Sequence, residues 1–254
     1  MISIVVIGFG NVGSHLCEAF KKAKDVELVQ IFNRTKISLP ESLKHIDFTH
    51  SVSDLAEADI YLLALPDDVI SEFSEKLPKN KSLVVHTSGA VSMNKLNDKN
   101  LRGVFYPLQS FSRRRLPDYE KIPICIEAER STDLRLLRKL GESISNKVVE
   151  VNSEERSRLH LSAVFVNNFV NHLYHISENL LEEANLDFNL LKPLIRESAL
   201  KIDTMSASQA QTGPALRGDI KTLEKHLHLL KDSQFKEIYE QLTLSIQETY
   251  GKKL

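Results

Sequence analysis

The sequence predicts an α/β protein in which a mostly parallel, doubly wound sheet is followed by an all-helical domain. Over the first 150 residues, short apolar runs alternate with helical segments, which is the pattern of a parallel sheet with crossover helices. Several runs, such as IYLLAL (60–65), are apolar at every position, as expected for strands covered on both faces. After Val151 the strand-like runs stop, and the next Gly or Pro in the chain is Pro193.

The order of these segments predicts two domains, 1–152 with the sheet and 153–254 with helices only. Ser153 is the expected N-cap of one long helix, with acidic residues in its first turn. Its middle, 161–176, is apolar on most sides and is expected to be enclosed by other helices. Strands are expected near 2–7, 28–32, 60–65, 83–86, 104–106, 124–127 and 148–151, and the other helices near 12–24, 69–77, 134–144, 190–206, 220–230 and 235–248.

The composition of the chain excludes some classes of binding partner. The formal net charge of −1 gives no reason to expect binding to nucleic acid or to an anionic membrane surface, and no apolar run is long enough to span a membrane. Two cysteines, Cys17 and Cys125, are too few for a disulfide framework. Because a signal-peptide pattern is also absent, the expected location is the cytoplasm and the expected partner a small molecule.

The strongest motif is GFGNVG, residues 8–13, between the first predicted strand and the first predicted helix. Its glycines have the G-x-G-x-x-G spacing of a dinucleotide site: the first permits a tight turn, the second lets backbone approach a pyrophosphate, and the third lets helix pack on strand. The alternative is a glycine turn without a ligand. The loop predicts cofactor contacts from Gly8, Phe9, Gly10, Asn11, Val12 and Gly13.

The second strand ends in NRT, residues 33–35, where NAD-preferring sites carry an acidic residue. Asn33 and Thr35 can hydrogen-bond a phosphate, and the guanidinium of Arg34 can pair with it. These residues favour NADP over NAD. The alternative is that Arg34 is a solvated loop residue.

Two further strand ends are expected at the same edge of the sheet. In ALPDD, the backbone at Leu65 and Pro66 could line the nicotinamide ribose, whereas Asp67 and Asp68 are expected to cap the next helix. HTSGA, residues 86–90, makes His86 and Ser88 candidates to face the reactive end of the cofactor, or else forms a plain turn.

With these motifs and the long helix, the chain resembles the superfamily of pyrroline-5-carboxylate reductase, the β-hydroxyacid dehydrogenases and the deazaflavin-dependent NADP oxidoreductases. YPLQSF (106–111) and QTGPALRGD (211–219) resemble signatures of a Rossmann-like branch of that superfamily. The resemblance implies a Rossmann domain, a C-terminal domain similar to that of 6-phosphogluconate dehydrogenase, NADP in an interdomain cleft, and a homodimer.

One departure limits this resemblance. β-Hydroxyacid dehydrogenases carry a proton-donating Lys three residues before an Asn pair; here the pair is Asn167–Asn168, and Val164 occupies the Lys position. The asparagines are expected either to touch substrate or cofactor or to make hydrogen bonds that pack the helix. His172 and His175 lack accompanying carboxylates or cysteines, so no metal site is predicted.

The QTGPALRGD segment suggests a substrate loop. The resemblance to pyrroline-5-carboxylate reductases places Thr212, Gly213 and Arg217 in the cleft, where Arg217 could hold a carboxylate or phosphate, whereas Asp219 is expected to cap the next helix. SRRR (112–115) is either a second anion-attracting segment or a solvated loop.

Together these features predict an NADP-dependent oxidoreductase that acts on a small, anionic imine or carbonyl compound. Its catalytic candidates are His86, Ser88, Asn167 and Asn168. The rival hypotheses are a non-catalytic NADP-binding sensor or scaffold, and a dehydrogenase that oxidises a hydroxyacid with His86 as base.

Overall fold

The computed structural model describes residues 1–79 and 81–251. The chain forms two compact units, Met1–Asn168 and Phe169–Leu254. The first unit therefore includes the start of the long helical stretch, with which the second domain was predicted to begin. The predicted boundary after residue 152 stays a prediction.

The first unit is built on one eight-stranded sheet in the order β3-β2-β1-β4-β5-β6-β7-β8. Neighbouring strands are parallel except for β6 and β7, which are antiparallel. This order, with β1 between β2 and β4, is that of the doubly wound dinucleotide-binding fold, so the predicted fold class is confirmed. The strands are β1 (Ile2–Ile7), β2 (Val26–Phe32), β3 (Asp47–Thr49), β4 (Ile60–Leu63), β5 (Leu83–His86), β6 (Leu101–Pro107), β7 (Ile124–Ala128) and β8 (Val148–Glu150).

Apolar clusters cover both faces of this sheet. Residues of β1 alternate between them: Ile4 and Val6 belong to one cluster, Val5 and Ile7 to the other. This is why the strands are apolar throughout. Strand β3 escaped prediction because it is only three residues long, is largely polar and pairs with β2 alone.

Helices α1 (Asn11–Lys22), α2 (Asp67–Glu75) and α3 (Ser131–Glu142) each connect two strands of this unit. Helix α4 (Ser153–Ala163) follows β8 and continues into a π-helical turn at Val164–Phe169. Two predicted caps are wrong. Asn152, one residue earlier than expected, caps α4: its side chain accepts from the backbone N–H of Glu155, whose carboxylate in turn accepts from the backbone N–H of Asn152. Asp67 and Asp68 belong to the first turn of α2 and make no cap hydrogen bond.

The π-helical turn interrupts the single long helix that the sequence predicts. Leu161 and Phe165 are each 59% exposed and Val166 is 74% exposed, so these apolar side chains are not buried as the sequence predicts. The continuation, α5, begins at Val170.

The second unit contains helices, as predicted. They are α5 (Val170–Glu183), α6 (Lys192–Lys201), α7 (Ala207–Ala210), α8 (Pro214–Arg217), α9 (Ile220–Leu229) and α10 (Lys236–Tyr250). The predicted cap of α9 is confirmed, since the Asp219 carboxylate accepts from the Thr222 N–H at 3.2 Å. Within 1–79 and 81–251, no helix has the length and apolar character needed to cross a membrane.

Candidate active site

A cavity of about 600 Å³ lies in the first unit, where the parallel strands reach their carboxyl ends. This is the edge at which open α/β sheets bind ligands. Its walls come from the start of α1, from the segments that follow β4, β5 and β6, and from α4 with the π-helical turn. Residues from five separate stretches of the chain therefore line the cavity.

The glycine loop has the geometry that its spacing predicts. Gly8 has a φ of +102°, and a Cβ there would lie 2.3 Å from the Ala64 carbonyl oxygen. A Cβ at Gly13 would lie 1.9 Å from the Gly8 carbonyl oxygen, so helix and strand approach too closely for any side chain. A Cβ at Gly10 would meet no described atom within 4 Å. Gly10 thus leaves open space at the N-terminus of α1, where backbone N–H groups favour an anion.

Asn33 joins this loop to the end of β2. Its Oδ1 accepts from the Phe9 N–H at 3.2 Å, and its Nδ2 donates to the carbonyl oxygen of Thr35 at 2.9 Å and to the Thr35 hydroxyl at 3.2 Å. Arg34 is exposed and forms no ion pair with any residue that the structure describes. Asn33 therefore shapes the loop, while the Arg34 guanidinium stays available to a ligand.

The segment after β4 contributes Leu65 and Asp67 to the cavity, and the start of α1 contributes Val12. Pro66 lies between Leu65 and Asp67, is exposed and precedes the first residue of α2. Two of the predicted cofactor residues, Val12 and Leu65, thus adjoin the cavity directly. The cavity and the glycine loop are neighbouring parts of one site.

His86 and Ser88, at the end of β5, have different environments. His86 is fully buried, does not line the cavity, and its Nδ1 accepts from the Ser88 N–H at 3.2 Å. Burial, together with the positive charge of Arg156, lowers the pKa of His86 to about 3. An imidazole that is so weak a base and lies outside the cavity is not placed to take a proton from a substrate, which speaks against the predicted base. Ser88 does line the cavity, and its Oγ accepts from the backbone N–H groups of Ala90 and Val91.

The asparagine pair lies within the π-helical turn, and both residues line the cavity. Among the described residues, no hydrogen bond joins either asparagine side chain to another residue. Val164 does not line the cavity. Single π-helical turns often occur at functional sites, because they redirect side chains that a regular helix would point elsewhere.

Sequence reasoning missed a second polar pair in the cavity. Tyr106 Oη and His160 Nδ1 are 3.2 Å apart, and their rings meet edge to face at 6.1 Å. The two residues are 54 positions apart, so no local pattern could have joined them. In the sequence, Tyr106 is distinguished only as part of YPLQSF, and nothing distinguishes His160 from the other histidines.

The anchor of α4 was missed as well. Arg156, 1% exposed, forms an ion pair with Glu127 of β7 and donates to the Val91 carbonyl oxygen at 2.5 Å. Glu127 also accepts from the backbone N–H and the hydroxyl of Ser153. These bonds fix α4 against β7 and against the loop that follows β5.

The remaining predicted site residues lie elsewhere. Thr212, Gly213 and Arg217 belong to the second unit, and none of them lines this cavity, so their substrate role stays a prediction. In the SRRR loop, Arg113 donates to the Phe9 carbonyl oxygen at 3.3 Å, which brings this arginine to the glycine loop. Over the described ranges, no three His, Cys, Asp or Glu side chains cluster as a metal ion would require.

The strand order and the glycine loop define a dinucleotide-binding protein of the Rossmann class. Residues 3–158 match the family model of the semialdehyde dehydrogenase NAD-binding domain, and residues 122–246 match a domain of unknown function, DUF2520. A solved structure from Bacteroides fragilis, assigned as an NADP oxidoreductase, is 36% identical, has a TM-score of 0.88, and covers 97% of this chain and 98% of its own. The chain therefore belongs to the NAD(P)-dependent oxidoreductases, with an N-terminal domain of the semialdehyde dehydrogenase NAD-binding family.

Two more distant structures share the fold. Pyrroline carboxylate reductase from Plasmodium falciparum, with NADP bound, is 15% identical with a TM-score of 0.60 and covers 98% of this chain and 97% of its own. An imine reductase from Myxococcus stipitatus, in complex with NADP⁺, is 16% identical with a TM-score of 0.63 and covers 98% and 96%. No curated protein sequence matches the chain.

Proposed function

We propose that this protein is an NADP-dependent reductase that transfers a hydride from NADPH to a small imine or carbonyl compound held in the cavity. The observation that carries the proposal is the continuity between the glycine loop, open at Gly10, and the cavity, which Val12 and Leu65 join. The Bacteroides fragilis relative, assigned as an NADP oxidoreductase, supports the choice of reaction class.

The residues present fit this cofactor. The open space at Gly10 and the N-terminus of α1 suit a pyrophosphate, which a Cβ would obstruct. Arg34, exposed beside Asn33 and Thr35, suits the 2′-phosphate that distinguishes NADP from NAD. When bound, NADPH supplies the hydride. The chain's own residues must then bind the acceptor and stabilise the charge that develops on it.

The composition of the cavity favours an enzyme over a sensor. Polar groups of Thr87, Tyr106, His160 and Asn167 line it, whereas a protein that only binds NADP has no need of them. The expectation of an anionic substrate has no support here, because no Lys or Arg of the described residues lines the cavity. A contribution from Arg217 of the second unit stays a prediction.

A titration of the protein with NADPH and with NADH, followed by nicotinamide fluorescence, tests the cofactor. Arg34→Ala is expected to raise the Kd for NADPH about tenfold or more, because a charge-assisted phosphate contact of roughly 1.5–3 kcal/mol is lost. The Kd for NADH should not change.

Arg135→Ala is the matched control, because Arg135 is an exposed arginine on α3 and its removal changes the net charge equally. If neither nucleotide binds at millimolar concentration, the glycine loop is only a structural turn and the proposed function is wrong. If Arg34→Ala and Arg135→Ala bind NADPH alike, the 2′-phosphate is held elsewhere.

A further inference from the structure

Two residues of the cavity are not accounted for by binding the dinucleotide. Tyr106 stands near the end of β6 and His160 stands on α4, and their polar atoms Oη and Nδ1 are 3.2 Å apart inside the cavity lining. Tyr106 is only 9% exposed. A hydroxyl and an imidazole that share a hydrogen bond in a pocket can exchange a proton with each other and with a bound molecule.

The loop after β5 leaves room for Tyr106 and His160 because it carries a glycine beside them. Gly89, in the loop after β5, lies directly against both rings: a Cβ there would be 2.5 Å from His160 Nδ1 and 2.9 Å from Tyr106 Cζ. Any side chain at position 89 would therefore displace the pair. Gly89 also lines the cavity, so the close approach occurs at the site itself.

The helix that carries His160 is fixed by the buried ion pair. Arg156 is one turn before His160, on the same side of α4, and it binds Glu127 and the Val91 carbonyl oxygen. We regard Arg156 as a positioning residue, because it does not line the cavity. Its charge also matters, since a cation near Tyr106 stabilises a transient phenolate.

We propose that Tyr106 is the catalytic proton donor, that His160 returns a proton to it, and that the natural acceptor is accordingly an aldehyde or ketone and not a preformed iminium ion. This proposal rests on the proposed reductase function. It assigns the step that Val164 cannot perform to a pair contributed by β6 and α4.

The atoms and electrons of the step balance. The carbonyl carbon gains a hydride, which is a proton with two electrons, from the reduced nicotinamide, and the C=O π pair moves onto oxygen. The O–H bond of Tyr106 breaks and its proton bonds to that oxygen, which gives the alcohol. His160 then releases its Nδ1 proton to the phenolate while its Nε2 takes up a proton from solvent, so that both side chains are neutral again.

The electrostatics agree with these roles. Burial, with a smaller contribution from the Cys125 thiol, raises the pKa of Tyr106, and the positive charge of Arg156 partly offsets the rise. The phenol therefore keeps its proton at neutral pH and can deliver it when negative charge develops beside it.

The need for a proton donor distinguishes the two substrate classes. A carbonyl oxygen acquires a full negative charge when its carbon takes up a hydride, so it requires a proton or strong hydrogen bonds. An iminium nitrogen becomes neutral in the same event and requires neither. A buried, hydrogen-bonded acid such as Tyr106 is therefore needed to reduce a carbonyl compound, whereas the reduction of an iminium ion does not require it.

The test compares wild type, Tyr106→Phe and the control Tyr239→Phe. Tyr239 forms a similar pair, with Oη 2.8 Å from His226 Nδ1 and rings edge to face at 5.7 Å, but lies on α10 and does not line the cavity. NADPH binding is titrated first. NADPH oxidation is then followed with small aliphatic aldehydes and ketones and, as the preformed imine, with 2-methyl-1-pyrroline.

Tyr106→Phe should lower kcat for the carbonyl compounds about 100-fold or more, the usual contribution of a general acid, with the Kd for NADPH unchanged. Tyr239→Phe should reduce carbonyl compounds like wild type. In the absence of cofactor, the ring ¹⁵N resonance of His160 Nδ1 should shift in Tyr106→Phe and not in Tyr239→Phe. If Tyr106→Phe fails to unfold cooperatively, His160→Gln carries the same test and should lower kcat as well.

The outcomes separate the two proposals. Failure of wild type to bind NADPH refutes the proposed function. Binding of NADPH together with equal kcat values in the two tyrosine variants, or with an unchanged His160 resonance, overturns the role of Tyr106. Turnover of the imine alone, or of no carbonyl compound tried, overturns the carbonyl acceptor.

Discussion

At the scale of single residues, the three loop glycines are needed for different reasons. At Gly8 and Gly13 a side chain would collide with backbone oxygens of the protein, whereas at Gly10 it would enter open space. Protein stability thus depends on Gly13, and ligand binding on Gly10. The spacing in the sequence is common to all three and cannot separate these roles.

A pair of alanine variants measures this difference. Gly13→Ala is expected to lower the free energy of unfolding by about 1–3 kcal/mol, because the extra methyl overpacks the contact between α1 and β1. Gly10→Ala should leave the free energy of unfolding unchanged, since Gly10 has a φ of −76° that alanine adopts readily. It should nevertheless weaken NADPH binding about tenfold or more, a loss of roughly 1.4 kcal/mol.

Urea unfolding and a fluorescence titration on both variants supply the two quantities. Gly10→Ala with wild-type affinity for NADPH would contradict the placement of the pyrophosphate beside this residue. An unaltered stability of Gly13→Ala would mean that helix and strand can separate at no cost.

At the scale of elements, α4 carries most of what the sequence did not reveal. Local patterns predicted that a helix begins here, since Ser153, Glu154 and Glu155 are neighbours in the chain. They could not predict which buried carboxylate Arg156 meets, because Glu127 is on a strand 29 residues earlier. Nor does composition indicate a π-helical turn, which depends on how the helix packs. The sequence therefore singles out Asn167 and Asn168 by their polarity, but it does not predict that they line a cavity.

The buried ion pair between Arg156 and Glu127 is expected to contribute to the stability of the protein by anchoring α4. Arg156→Met is expected to lower the free energy of unfolding by about 3–5 kcal/mol, because the Glu127 carboxylate loses its partner in a buried site. The double variant Glu127→Leu with Arg156→Met should recover much of that loss. Chemical unfolding of the three proteins measures both effects.

Arg158→Met is the matched control, two residues further along α4. Arg158 pairs with Glu154 at 2.9 Å, but both side chains are about 80% exposed, so less than about 1 kcal/mol should be lost. Equal losses from Arg156→Met and Arg158→Met would show that the buried pair does not anchor the helix.

At the scale of the whole molecule, the fold and the geometry of the glycine loop could be predicted from the sequence, whereas the contacts between side chains in the cavity could not. The strands near 2–7 and 83–86 were predicted with their observed bounds, because apolar runs and glycine spacing are local properties. Tyr106 and His160 meet only after the sheet and α4 have assembled. His86 was favoured as the histidine nearest a strand end, but its direction into the core depends on the packed sheet.

Large apolar side chains remain exposed on the second unit, and they support the predicted homodimer. Leu190 is 67% exposed, Leu194 60% and Leu200 60%. Burial of these side chains against a second copy of the chain would be favourable. We expect sedimentation equilibrium to give twice the chain mass of 28.8 kDa. Leu190→Glu with Leu194→Glu should yield monomers that still bind NADPH. A wild-type mass of one chain would refute the dimer.

The reversal of direction between β6 and β7 determines which way α4 runs. Because β8 is parallel to β7, it also runs against β6, and a helix that follows a strand in this fold returns in the opposite sense. Ser153, the first residue of α4, binds Glu127 of β7, which pairs with Val104 in the middle of β6. Further along α4, His160 lies beside Tyr106, nearer the carboxyl end of β6. If β7 and β8 ran parallel to β6, α4 would begin near the cavity and run away from it. The later residues of α4, including His160, would then lie towards the amino edge of the sheet.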